Sequence, residues 1–156
     1  TMNNTTNIMI IDDTKYIIDY INNNFDNTNG IGIVGYCMSG RFVVSCGALY
    51  ADKITAIASF YGVGILTEKN DSPHLLANKI KGELYLAFAE KDNWVPKTTL
   101  SKIKKKFSKY KNCNIEIYPS TEHGFAFSER NTYVREAAEM HWERLIHLFD
   151  KNLKKK

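Results

Sequence analysis

Three residue types that could share an acyl-transfer reaction occur along this chain in a telling order: a cysteine at 37, acids near 90 and a histidine at 123. Cysteine attacks a carbonyl as its thiolate, which a nearby base or a helix N-terminus favours. The histidine would take and return the proton, and an acid would hold the imidazole in the working tautomer. Cys37 lies in Ile31-Gly32-Ile33-Val34-Gly35-Tyr36-Cys37-Met38-Ser39-Gly40, where an apolar run ends in glycine and small residues follow the cysteine. That is the layout of a nucleophile elbow, a strand-to-helix turn too tight for large flanking side chains. The usual pattern is Gly-x-nucleophile-x-Gly; here Ser39 holds the last place, with Gly40 one step on. A helix opening near Met38 would aim backbone N–H groups at the Cys37 sulfur, and the Met38 N–H at an oxyanion beside it.

Of the histidines, His74, His123, His141 and His147, His123 stands out as the base, which should follow the nucleophile and the acid along the chain. It sits in Ser120-Thr121-Glu122-His123-Gly124-Phe125, between a strand-like run over 114–118 and the last helix. A loop beyond a strand's carboxyl end is where an open α/β sheet places its site. Gly124 leaves that loop free to bend toward Cys37. His141 and His147 lie in a strongly helical segment and read as surface or half-buried helix histidines; His74, after Pro73 in a polar loop, reads the same way. The acid is best placed at Asp92, between the buried strand pattern of 84–89 and a helix that Pro96 opens, a position proline tolerates. Glu90, two residues nearer the strand, competes with it. Tyr36, Tyr61, Trp94 and Phe125 are candidates for the pocket lining, and Arg41 and Arg130 for a substrate carboxylate.

These residues need elements to carry them. The pattern predicts helix 11–24, strand 31–36, helix 39–50, strand 54–60, strand 83–89, helix 97–110, strand 114–119 and helix 131–152. Strands alternating with helices predict a parallel sheet covered on both faces, a three-layer α/β sandwich. The apolar runs of 31–34 and 84–87 suit central strands. In the last helix a stripe of Ala138, Trp142, Leu145, Ile146, Phe149 and Leu153 is spaced to cover the sheet. The stretch 66–81 is the longest irregular one, interrupted by Pro73, and could frame the pocket mouth.

Three segments together resemble the dienelactone hydrolase family of α/β-hydrolases: Gly35-Tyr36-Cys37-Met38-Ser39-Gly40 its cysteine elbow, Ala89-Glu90-Lys91-Asp92-Asn93-Trp94-Val95-Pro96 its acid loop, and Glu122-His123-Gly124-Phe125-Ala126-Phe127 its histidine loop. The similarity covers roughly residues 10–153. It implies a nucleophile at Cys37, an acid at Asp92, a base at His123 and one oxyanion donor at the Met38 N–H. The implied chemistry is hydrolysis of a small ester or lactone through a thioester, without metal or organic cofactor. A thioesterase or amide hydrolase could use the same triad. Where the founding members carry a substrate-binding arginine shortly after the histidine, this chain has Phe127, with Arg130 three residues on. The family also has strands upstream of the first helix, which supply a second oxyanion donor and an acid that meets the cysteine. The resemblance therefore implies a partial α/β-hydrolase fold lacking the N-terminal strands. The strand bearing Cys37 then has an open edge, expected to be covered by another chain (a homo-oligomer contact among them), by rearrangement or by a missing N-terminal segment. A catalytically impaired fragment or subunit is the alternative.

Composition narrows the class. The chain has 156 residues, 44% of them apolar, which fits a single domain over 1–156 with a real core. No run approaches the roughly 18 apolar residues of a membrane span, and the polar start at 1–7 shows no signal peptide. Cys37, Cys46 and Cys113 are odd in number and lack metal spacing, which suits a reduced, cytoplasmic setting. Cys46 and Cys113 read as small core residues. The net charge of +4 comes mainly from lysines. Lys102, Lys104, Lys105, Lys106, Lys109 and Lys111 alternate with Leu100, Ile103, Phe107 and Tyr110, the pattern of an amphipathic helix with a solvated face. No aromatic-basic module or arginine cluster accompanies it, so no nucleic-acid partner is expected. Lys151 and Lys154–Lys156 form a basic end suited to a helix C-terminus.

Overall fold

The structure, a computed structural model, describes residues 5–25 and 29–154. The sequence features at Thr1–Asn4 and at Lys155–Lys156 lie outside the described residues. In chain order the elements are α1 (Asn7–Asn24), β1 (Ile31–Tyr36), α2 (Ser39–Leu49), β2 (Ile54–Phe60), a 3-10 helix (Pro73–Lys79), β3 (Glu83–Lys91), α3 (Lys97–Phe107), β4 (Cys113–Glu122) and α4 (Arg135–Leu153). The strands are all parallel, in the order β1-β2-β3-β4.

Side-chain alternation in β3 shows how the layers form. Leu84, Leu86 and Phe88 join one core with Val44, Ile57, Ile103 and Phe107 of β2 and helices α2 and α3. Tyr85, Ala87 and Ala89 join the other core with Phe60, Tyr118, Leu145 and Leu148, under α4. Successive side chains of a strand point to opposite faces, so both of these are buried. Each large apolar side chain so enclosed contributes about 1.5–3 kcal/mol. Of the two runs expected to be central, β3 lies inside the sheet and β1 forms its outer edge, with Val34 exposed.

Several boundaries differ from the sequence pattern: β3 runs on to Lys91 and β4 spans Cys113–Glu122, and the helices shift as well. Helix α1 begins at Asn7, because Thr6 Oγ1 accepts the Met9 N–H at 3.2 Å and caps it. The irregular stretch 66–81 contains the 3-10 helix, opened by Pro73 and organised by Ser72 Oγ, which accepts the Thr67 N–H at 2.9 Å. Helix α3 ends at Phe107. Helix α4 starts at Arg135, since 132–134 is used elsewhere: Thr132 Oγ1 donates to the His123 carbonyl at 3.0 Å and the Val134 N–H to Phe125 O at 3.1 Å.

The stripe of α4 also turns by about one residue. Ala137, Ala138, His141, Leu145 and Leu148 are buried, while Trp142 and Ile146 are more than half exposed. His141 is therefore a core residue, contrary to the surface or half-buried position expected of it; a hydrogen-bond partner inside the core accounts for this. Among the described residues no helix is long and apolar enough to cross a membrane.

Candidate active site

The turn after β1 has the strain its sequence implies. Cys37 has φ 53°, a left-handed conformation rare for a residue with a side chain. Its neighbours hold it there: the Cys37 N–H donates to Phe60 O at 3.1 Å, and its carbonyl accepts from the Gly40 and Val63 N–H groups at 3.1 and 2.9 Å. A side chain on Gly35 would stand 2.5 Å from the Ser39 carbonyl oxygen and 2.9 Å from Val43 Cγ1. One on Gly40 would strike Gly62 Cα and Ser59 Oγ, so glycine there lets α2 approach the segment after β2. Ser39, the departure from the elbow pattern, has a use of its own. The Cys37 N–H points to β2, so the Tyr36 backbone groups point to the open edge. Ser39 Oγ accepts the Tyr36 N–H and donates to the Tyr36 carbonyl, both at 2.8 Å. Met38 is the N-cap of α2, so its N–H lies at the helix start, where the helix offers no internal acceptor.

The choice between the two acids is resolved by direction. His123 Nδ1 meets Asp92 Oδ2 at 2.8 Å. The Asp92 side chain is fully enclosed, and its Oδ1 accepts the Trp94 and Val95 N–H groups at 2.8 and 3.3 Å. A buried carboxylate needs such donors. Glu90 instead accepts the Ser120 N–H at 2.7 Å, on an exposed surface, and steadies Ser120 at φ 56°. With Nδ1 on a carboxylate, the neutral His123 ring carries its proton there and leaves Nε2 as a base. Nε2 is buried and has no hydrogen-bond partner among the described residues, the Cys37 thiol included. Gly124, at φ 88°, turns the loop as expected.

The predicted lining residues fall in different places. Tyr61 follows β2 at φ 40°; its ring stands 5.0 Å from that of His123 and 5.9 Å from that of Tyr36. Its hydroxyl is buried without a partner, and burial raises its pKa. Trp94 is 69% exposed, with its ring 6.3 Å from His123. Phe125 is wholly buried, stacked on Tyr118 at 4.8 Å, and so lies beneath the site. Tyr36 is half-buried, with its pKa pushed up to about 12 by burial. Arg130 is exposed, its stem against Gly124. Arg41 donates to Thr5 O at 3.1 Å and lines a separate cavity of about 390 Å³ with Asn7, Lys69 and Asp71. Cys46 is buried, with its pKa raised by burial, and Cys113 is half-buried, raised to about 12 for the same reason.

Sequence reasoning missed His141. Its Nε2 meets the Tyr36 hydroxyl at 2.7 Å, one residue from Cys37. A stripe of 138, 141, 145 and 148 has helical spacing and could have placed it, had histidine been counted as a core residue.

A parallel sheet wound with helices, a strained residue on the turn after one strand, and an Asp–His pair beyond two others define the α/β-hydrolase class. Within that class the chain belongs to the dienelactone hydrolase family, whose model matches residues 1–153. It is 34% identical over 128 residues to a Synechocystis protein assigned as a carboxymethylenebutenolidase, a match covering 80% of this chain and 51% of that protein. An Aquifex aeolicus protein of the same assignment is 27% identical over 128 residues, covering 80% and 52%. The chain thus spans about half the length of the relatives it matches. Among solved structures, one from Klebsiella pneumoniae assigned as a dienelactone hydrolase superposes with a TM-score of 0.82 at 19% identity, over 96% of this chain and 63% of that one. A dienelactone hydrolase-like promiscuous phosphotriesterase from metagenomic libraries gives 0.70 at 18%, over 88% and 59%.

Proposed function

We infer that this chain carries the reacting half of a carboxylic ester hydrolase that opens a small ester or lactone through a thioester on Cys37. His123, oriented by Asp92, takes the thiol proton; the thiolate attacks the carbonyl carbon. The Met38 N–H holds the resulting oxyanion. His123 then protonates the leaving alkoxide, and afterwards draws a proton from water, which attacks the thioester and frees the acid and the thiol. No cofactor enters this scheme. Three cysteines, none in a disulfide, suit a reduced cytoplasmic setting for it.

The observation that supports this reading most is the state of His123: one ring nitrogen on a buried carboxylate, the other buried and unpaired, at the strand ends that also bear the strained Cys37. Leaving a buried nitrogen unpaired costs free energy, and structures retain such costs where a site uses them. The test is hydrolysis of p-nitrophenyl acetate by wild type and Cys37→Ala. Loss of turnover in the variant is expected; wild-type turnover without the thiol would overturn the mechanism.

The open edge of β1 favours a second reading, a subunit or fragment whose site is completed by a further strand. One missing oxyanion donor costs about 100- to 1000-fold in rate. Thiol titration separates the two: a working Cys37 reacts with iodoacetamide much faster than Cys46 at neutral pH, an idle one does not.

A further inference from the structure

Resting on that reading of Cys37 and His123, we propose that His141 and Tyr36 form a positioning pair that sets the spacing between the cysteine turn and the histidine loop.

His141 is completely buried on α4. Its Nδ1 lies 3.0 Å from the Ala138 carbonyl, which can only accept, so Nδ1 carries the proton. Nε2 is then an acceptor, and the Tyr36 hydroxyl donates to it at 2.7 Å. The imidazole is wedged edge-on against Phe60, with centroids 4.4 Å apart. Its direction is therefore set by the helix on one side and the ring on the other, and it fixes the Tyr36 hydroxyl in turn.

Tyr36 passes that constraint on to both halves of the site. Its own peptide leads into Cys37, and its backbone N–H and carbonyl are clamped by Ser39. Its ring stacks on Phe60 at 5.4 Å and meets Phe127 edge-on at 5.1 Å. Phe127 closes the turn after His123, its N–H reaching the Gly124 carbonyl at 3.4 Å. One side chain thus touches the nucleophile's strand, the base's loop and, through His141, the helix beneath both. Packing alone would be served by two apolar rings, which need no partner in a core; a hydrogen-bonded polar pair adds a fixed orientation. Nucleophile and base act only within a narrow window of distance, and a misplacement of about 1 Å can cost 100-fold.

The experiment compares Tyr36→Phe, His141→Phe and the double variant for thermal stability, for kcat and KM on p-nitrophenyl acetate, and for the iodoacetamide rate of Cys37. Each single change leaves one buried polar group unpaired and lowers stability; the double change removes both groups and restores it. The expected result is a kcat and an alkylation rate about 10- to 100-fold lower in all three proteins, with KM within about twofold, the deficit persisting in the double variant. Recovery of wild-type rates along with stability in the double variant would overturn the proposal and leave the pair a packing feature. Tyr36→Phe decides the matter should His141→Phe not fold: full rates there also refute it. The alkylation rate needs no turnover, so this outcome is distinct from failure of the Cys37→Ala test.

Discussion

Asp92→Asn tests the acid's role with almost no change of shape. Asp92 Oδ1 accepts two backbone N–H groups, from Trp94 and Val95, and Oδ2 faces His123 Nδ1. An asparagine has one oxygen to offer. Placing its amide nitrogen toward the loop would set donors against two N–H groups, so the oxygen must stay there and the nitrogen must face His123. The imidazole then has to accept at Nδ1, which moves its proton to Nε2 and leaves no base for the thiol. In a serine triad the equivalent change lowers kcat about 10⁴-fold, or about 5 kcal/mol of barrier. The same order is expected here in p-nitrophenyl acetate turnover. The loop bonds survive, so the stability loss stays near 1 kcal/mol, a Tm shift of about 2–4 °C. Alkylation of Cys37 by iodoacetamide should slow as well, because the thiol loses the base that takes its proton. A folded Asp92→Asn protein within threefold of wild type in both measurements would refute the tautomer argument.

Three other outcomes follow from the same contacts. Ser39→Ala removes the hydroxyl that serves both Tyr36 backbone groups and should cost about 1–2 kcal/mol by urea denaturation, with slower Cys37 alkylation. Burial holds the His141 pKa below its ordinary value, with the Ala138 bond opposing in smaller measure; the unfolded chain then binds the extra proton first, so stability is full above about pH 6.5 and falls as pH drops through that value. Melting curves from pH 8 to 5 should show this slope, and Tyr36→Phe/His141→Phe should lack it. The uncovered edge of β1, with Val34 38% exposed, should pair with another strand; light scattering is expected to show association that Val34→Lys abolishes, and a clean wild-type monomer would count against it.

How much of this was legible in the sequence depends on which signals are local. The parallel strands and the places of Cys37, Asp92 and His123 at their ends were readable because each sits where an apolar run meets turn residues, and a turn is written in a few adjacent positions; the edge position of β1 was not readable from its apolar run. Asp92 was preferred to Glu90 from its place in the turn, but the direction in which each carboxylate points past the end of β3 was not readable. The phase of α4 failed for a related reason. Trp142 and Ile146 are more apolar than His141, and hydrophobicity alone turns the helix toward them. A hydroxyl on Tyr36, more than a hundred residues away, is what makes burying the imidazole tolerable.

Strain gives the strongest link between this fold and a chemical site. Among the described residues Cys37, Tyr61 and Ser120 are the non-glycine residues with positive φ, and each lies at or just past the carboxyl end of a strand. Such conformations cost about 1–3 kcal/mol each and persist only where neighbours over-determine them. Here the neighbours are the adjacent strands. The Cys37 N–H is held by Phe60 O at the end of β2, the Tyr61 N–H by Ala87 O of β3 at 2.7 Å, and the Ser120 N–H by the Glu90 side chain of β3 at 2.7 Å. The strained backbone therefore rests on β2 and β3, and Phe60 of β2 pairs with Ala87 of β3, so loosening β3 should release all three turns together. A mutation at a buried β3 position such as Leu86→Ala should then slow Cys37 alkylation by more than its fractional loss of folded protein; a rate that merely tracks the folded fraction would show the elbow to be held locally instead.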